Sequence, residues 1–154
     1  MIKQYPYFSH NQELITLFVL ENTFLKVSIL DYGATLTSII YKPLNRETTL
    51  GLSDFEDYRK QKFYLGALVG RVANRINSGR FTLNDVTYQC TMNGPHSLHG
   101  GIVGFDQAHF KSEIKGDSLI LTHLSKDGDH PTHLLQPQCG SVSTDPQSSA
   151  QTQQ

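Results

Sequence analysis

Short apolar runs, one of them strictly alternating with polar positions, dominate the first 125 residues and predict short strands. Leu17-Phe18-Val19-Leu20 is followed by a turn at Glu21-Asn22-Thr23 and then by Phe24 to Leu30. In that second run Leu25, Val27 and Ile29 alternate with Lys26 and Ser28, the period of a half-buried strand. Asp31-Tyr32-Gly33 breaks the run and Ala34 to Tyr41 resumes it. The clearest hairpin is Phe81-Thr82-Leu83, Asn84-Asp85, Val86-Thr87-Tyr88. Its two-residue turn pairs Leu83 with Val86 and Phe81 with Tyr88, and Asn and Asp tolerate the left-handed backbone that such a turn requires. A last pair runs from Phe110 to Ile114 and from Leu119 to Leu124, joined across Lys115-Gly116-Asp117. The one helical signal is Ser53-Asp54-Phe55-Glu56, an S-x-x-E capping box. It predicts a short helix near residues 53–60, capped by Ser53 with Glu56 reaching back. Many short strands and almost no helix predict an all-β, antiparallel β-sandwich.

The pattern stops after Asp129. His130 to Gln154 contains six Gln, four Ser, three Thr and three Pro, and its large aliphatics are Leu134, Leu135 and Val142. Nothing there repays the cost of ordering the chain, so residues 130–154 are expected to be disordered. The chain shows no internal repeat.

Composition narrows the function classes. A formal net charge of −1 and a pI near 6.6 give no footprint for nucleic acid or for an anionic membrane surface. No apolar run reaches the length of a membrane span, and the N-terminal residues lack the apolar core of a signal peptide. Cys90 and Cys139 do not make a disulfide framework, and a cytoplasmic location is the default expectation.

Two glycine-rich segments carry the candidate chemistry. In Gly70-Arg71-Val72-Ala73-Asn74-Arg75-Ile76, Asn74 offers a donor and an acceptor and Arg75 a charged fork of donors. On an extended chain the two side chains point to opposite faces; in a bent loop both reach one side. Two readings stand: a surface Arg beside a turn Asn, or a pair suited to a polyhydroxyl ligand. In Ser97-Leu98-His99-Gly100-Gly101, His99 precedes two glycines, where backbone can approach a ligand closely. His96 and His99 have the spacing of part of a metal site, but no third ligand has motif-like spacing, so no metal is expected. Gly100-Gly101-Ile102-Val103-Gly104 lacks the Lys-Ser/Thr ending of a phosphate loop, and Ser97 has no G-x-S-x-G elbow.

In order, Gly70 to Ile76, Gly79-Arg80-Phe81, Ser97 to Gly101 and Gly104-Phe105-Asp106 resemble the aldose 1-epimerase (galactose mutarotase) family. Asp31-Tyr32-Gly33-Ala34, Leu50-Gly51-Leu52 and Ser125-Lys126-Asp127-Gly128-Asp129 resemble it too. The resemblance is collinear from about Leu17 to Asp129. One departure is His96, where the family usually has Asn. The resemblance implies that residues 1–129 are the N-terminal part of a galactose-mutarotase-like supersandwich domain, with residues 130–154 unrelated to it. It implies interconversion of the α and β anomers of free hexoses such as galactose and glucose, without a cofactor. It implies that Asn74, Arg75 and His99 bind the sugar, with His99 near the ring oxygen as an auxiliary catalytic group. The family's principal acid, a later His, and its base, a Glu further on, have no counterpart: no Glu follows Glu113, and His109, His123, His130 and His133 stand in unrelated contexts. The expectation is therefore a truncated, weak or inactive enzyme. A non-catalytic sugar-binding module and a non-functional truncation product are the alternatives. Oligomeric state is not legible.

Overall fold

The computed structural model describes residues 1–125 and two further strands, 138–143 and 151–153. The expected tail disorder and the Lys126–Asp129 segment otherwise fall outside the described residues. Five strands, β1 (Ile2–His10), β2 (Glu13–Glu21), β3 (Leu25–Leu30), β4 (Leu36–Tyr41) and β5 (Arg46–Glu47), form a sheet in sequential order. All its pairings are antiparallel. The helix α1 (Phe55–Lys60) follows. Two small ribbons come next: β6 (Arg75–Asn77) pairs with β9 (His96–Leu98), and β7 (Arg80–Leu83) with β8 (Val86–Gln89). A four-stranded sheet, β10 (Lys111–Lys115), β11 (Ser118–His123), β12 (Gln138–Ser143) and β13 (Gln151–Gln153), completes the described chain.

The patterned strands lie where alternation places them, within a residue or two at most ends. The β7–β8 hairpin has the expected register, Leu83 opposite Val86 and Phe81 opposite Tyr88. Asn84 and Asp85 both take positive φ, as a two-residue turn matched to strand twist requires. Phe81 and Tyr88 stack at 5.2 Å between ring centres.

Three features differ from the sequence reading. The strand β1 carries no clean alternation and holds Pro6; it is an edge strand with a register shift between Pro6 and Phe8, the setting that accepts proline. The helix is capped by Asp54, not Ser53: the Asp54 carboxylate accepts the Asp57 amide at 2.9 Å. Glu56 does not reach back to the cap and instead pairs with Arg59 and Lys60 on its own helix. The third is the strand β12, which runs antiparallel to β11 from a segment with no periodicity. A ladder is made by backbone groups, so the edge of β11 can be paired by a polar segment.

Side chains from both large sheets meet in one core, where Phe18, Leu20 and Ile29 pack with Phe110, Leu119 and Leu121. Phe105 joins them from the loop that follows the glycine-rich segment, 1% exposed. A second cluster of Ile15, Leu30, Tyr32, Phe55 and Tyr58 seats α1 against the first sheet. Asp31, 3% exposed, accepts the Thr16 amide and stands 3.4 Å from His109, whose other ring nitrogen lies 2.7 Å from Glu13. The Asp31-Tyr32-Gly33 break is thus a buried junction between β2, β3 and the approach to β10.

Candidate functional site

The two glycine-rich loops touch because they have no side chains at their crossing. A Cβ on Gly100 would stand 2.0 Å from the Gly70 carbonyl oxygen, and one on Gly70 would stand 2.4 Å from the Phe105 ring. Gly104 is equally confined, with its missing Cβ 2.5 Å from the His99 carbonyl oxygen. Phe105 anchors this crossing in the core, its amide donating to the Gly70 carbonyl at 3.2 Å, and the Arg71 guanidinium lies over its ring at 5.6 Å. The glycines thus let residues 70, 100 and 104 pack backbone to backbone.

On this base the structure brings Asn74, Arg75 and His99 together. Asn74 takes a left-handed φ of 65°, the bend that puts its side chain and that of Arg75 on one side; Arg75 Nη1 lies 3.4 Å from Asn74 Oδ1. Asn74 and His99 are joined reciprocally. The His99 amide donates to the Asn74 carbonyl at 3.0 Å, and the Asn74 amide donates to His99 Nδ1 at 3.0 Å. A backbone N–H can only donate, so Nδ1 is the acceptor and the proton of the neutral ring sits on Nε2. The site therefore presents a defined N–H donor, a guanidinium and an amide.

Sequence reasoning did not single out the residues that surround the trio. Tyr64 packs edge-on against His99 at 4.7 Å between ring centres. Asn93 donates to the Tyr64 hydroxyl at 3.1 Å and grips both backbone groups of Leu98, the residue before His99. Asn93-Gly94 reads as a turn, and only the fold shows that its side chain braces β9. A cavity of about 520 Å³ is lined by Tyr58, Tyr64, Asn93, Leu98, Asp106 and Gln107 among others; none of Asn74, Arg75 and His99 lines it, and it adjoins them through Tyr64 and Leu98. Its volume is in the range of small-ligand sites. Burial pushes the Asp106 carboxyl up from its ordinary range, against hydrogen bonds from its own backbone and from the Gln107 side chain and a smaller pull from His99. Burial also pushes the Tyr64 hydroxyl up, with Asp106 adding to the effect. Among the described residues no three His, Cys, Asp or Glu side chains are grouped to hold a metal ion. Nor is any described helix long and apolar enough to cross a membrane.

A strand-rich fold with a glycine-built crossing that gathers Asn, Arg and His defines a galactose-mutarotase-like β-protein. The aldose 1-epimerase family model matches residues 16–136, and the chain belongs to that family. The match continues past Asp129, the boundary drawn from the sequence alone. Bovine galactose mutarotase is 37% identical over 116 residues, covering 73% of this chain and 34% of the relative. The aldose 1-epimerase of Escherichia coli K12 is 38% identical over 111 residues, covering 69% of this chain and 32% of the relative. The crystal structure of galactose 1-epimerase from Lactobacillus acidophilus NCFM superposes with a TM-score of 0.75 at 25% identity, over 93% of this chain and 45% of that one. The chain spans about a third of the length of the curated relatives it matches.

Proposed function

We propose that Asn74, Arg75 and His99 hold a free hexose, galactose or glucose, for the anomer interconversion of the family. The observation that carries this reading is the reciprocal Asn74–His99 pair, which fixes the imidazole as an Nε2–H donor beside a guanidinium and an amide. Sugar hydroxyls need both donors and acceptors, and the ring oxygen needs a donor. Anomer exchange takes a proton from the C1 hydroxyl and gives one to the ring oxygen as the C1–O5 bond breaks. After rotation about C1–C2 the aldehyde recloses, and both protons are returned. His99 Nε2–H would polarise the ring oxygen in this scheme. With Nδ1 committed to the Asn74 amide, His99 is a hydrogen-bond donor and not the proton-transfer acid. No residue of this chain resembles the family's principal acid or base, so these 154 residues alone should exchange anomers weakly or not at all.

The experiment is galactose titration of wild type and two His99 variants by NMR. Asn at position 99 carries an acceptor where Nδ1 stands but no donor in place of Nε2–H. His99→Asn should keep the loop and weaken binding about tenfold, the cost of about one lost hydrogen bond. His99→Ala should lose both binding and loop order. Unchanged affinity in His99→Asn would refute the reading. In polarimetry, rapid enzyme-dependent loss of rotation from fresh α-galactose would refute the weak-activity part.

A further inference from the structure

The ribbon that presents Arg75 is only three residue pairs long, Arg75–Leu98, Ile76–Ser97 and Asn77–His96. So short a ladder is marginal on its own. Both residues flanking β6 are left-handed, Asn74 at φ 65° and Ser78 at φ 51°. Asn adopts such a conformation readily, whereas for a serine it is strained and needs a partner to hold it. Each flanking amide is captured by a histidine ring: Asn74 by His99 Nδ1 at 3.0 Å, and Ser78 by His96 Nδ1 at 3.2 Å. His96 opens β9 and His99 follows it, while the two left-handed residues flank β6 on either side. In the sequence His96 stands only as half of a metal spacing that has no third ligand, and as a departure from the Asn usual in the family the chain resembles. The structure shows its ring nitrogen at work on the backbone.

We propose that His96 is a positioning residue for the sugar-facing groups: with His99 it pins β6 at both ends and so fixes the direction from which Arg75 enters the site. The inference rests on the hexose reading above. The bond count predicts which side chains can take the place of His96. Asn Oδ1 and His Nδ1 are each three bonds from Cα, so either side chain can offer an acceptor to the Ser78 amide. The longer Gln moves its oxygen one bond further out.

The test uses wild type with His96→Asn, His96→Gln and His96→Ala. Two readouts are needed: galactose affinity by NMR titration, and the amide signals and hydrogen exchange of Ser78 and Arg75 without ligand. His96→Asn should bind galactose within about twofold of wild type and keep Ser78 protected. His96→Gln and His96→Ala should bind about fivefold to tenfold more weakly, lose Ser78 protection and shift the Arg75 amide. Should His96→Ala not fold, His96→Gln carries the comparison. The proposal is overturned if all variants bind alike, or if Asn damages binding as much as Ala. Wild type that fails to bind galactose removes the hexose reading and this proposal with it. Wild type that binds, with affinity indifferent to position 96, removes this proposal alone.

Discussion

At the residue scale, single backbone contacts decide what each conspicuous residue does. Gly100→Ala would place a methyl 2.0 Å from the Gly70 carbonyl at a backbone φ of 99°. We expect it to cost about 3 kcal/mol or more, from overpacking and strain together, and to lower the unfolding midpoint in urea accordingly. Gly116→Ala is the comparison: its φ of 57° lies in the left-handed region that Ala can reach, and nothing lies within 4 Å of its missing Cβ. Its loss should be clearly smaller, because it lacks both the clash and the more extreme φ. Glu47 shows how a surface carboxylate can be held ionised. It accepts from the Ser38 and Thr49 hydroxyls and from the Ile39, Thr48 and Thr49 amides, which hold its pKa down to about 2. A depressed folded-state pKa stabilises above the unfolded value of 4.5 and loses that stabilisation as pH falls toward 2. Glu47→Gln should therefore destabilise at neutral pH, by about 1 kcal/mol given solvent screening, and match wild type in melts near pH 2.

At the scale of elements, the legible parts of the fold were those where side chains alone decide the local structure. Period-two alternation places β3, apolar-rich runs between turn signals place β2, β4 and β11, and Asn84-Asp85 gives both the turn and the register of β7–β8. The cap of α1 was misread because two adjacent residues, Ser53 and Asp54, both qualify by chemistry; the backbone enters the helix at Asp54. Asp54→Ala should cost about 1 kcal/mol in thermal unfolding and Ser53→Ala almost nothing. Equal losses would contradict the assignment. The strands β6 and β9 were invisible because three residues hold no period; they exist through pairing across the chain and through histidine rings on backbone amides. In β1 the proline masked a strand whose edge position makes it tolerable.

At the scale of the whole molecule, the candidate trio was found from residue type, glycine context and family order, while its surroundings were not. Tyr64 and Asn93 reach the site only through tertiary contacts, and nothing local marks them; Asp106 stands in the Gly104-Phe105-Asp106 motif, which by itself assigns it no role. Family membership fixes the architecture, and the crossing at Gly70, Gly100 and Gly104 explains why those glycine-rich segments are read together. Asp106, in the wall of the cavity, gives a prediction at this scale: burial raises its carboxyl pKa, so its side-chain carboxyl signal in NMR should titrate above the ordinary carboxylate range. Titration within the ordinary range would show that the fold does not desolvate it.

The Asn74–His99 clasp closes a loop between residues 25 apart in sequence, and the β7–β8 hairpin projects from inside it. The tip at Asn84-Asp85 is exposed and bound to the clasp only through its own two strands. That makes the tip a port. A fluorescent module spliced between residues 84 and 85 would interrupt no contact of the trio, and exposed hairpin tips accept such insertions readily. Its two attachment points would lie on the segment that the clasp holds shut.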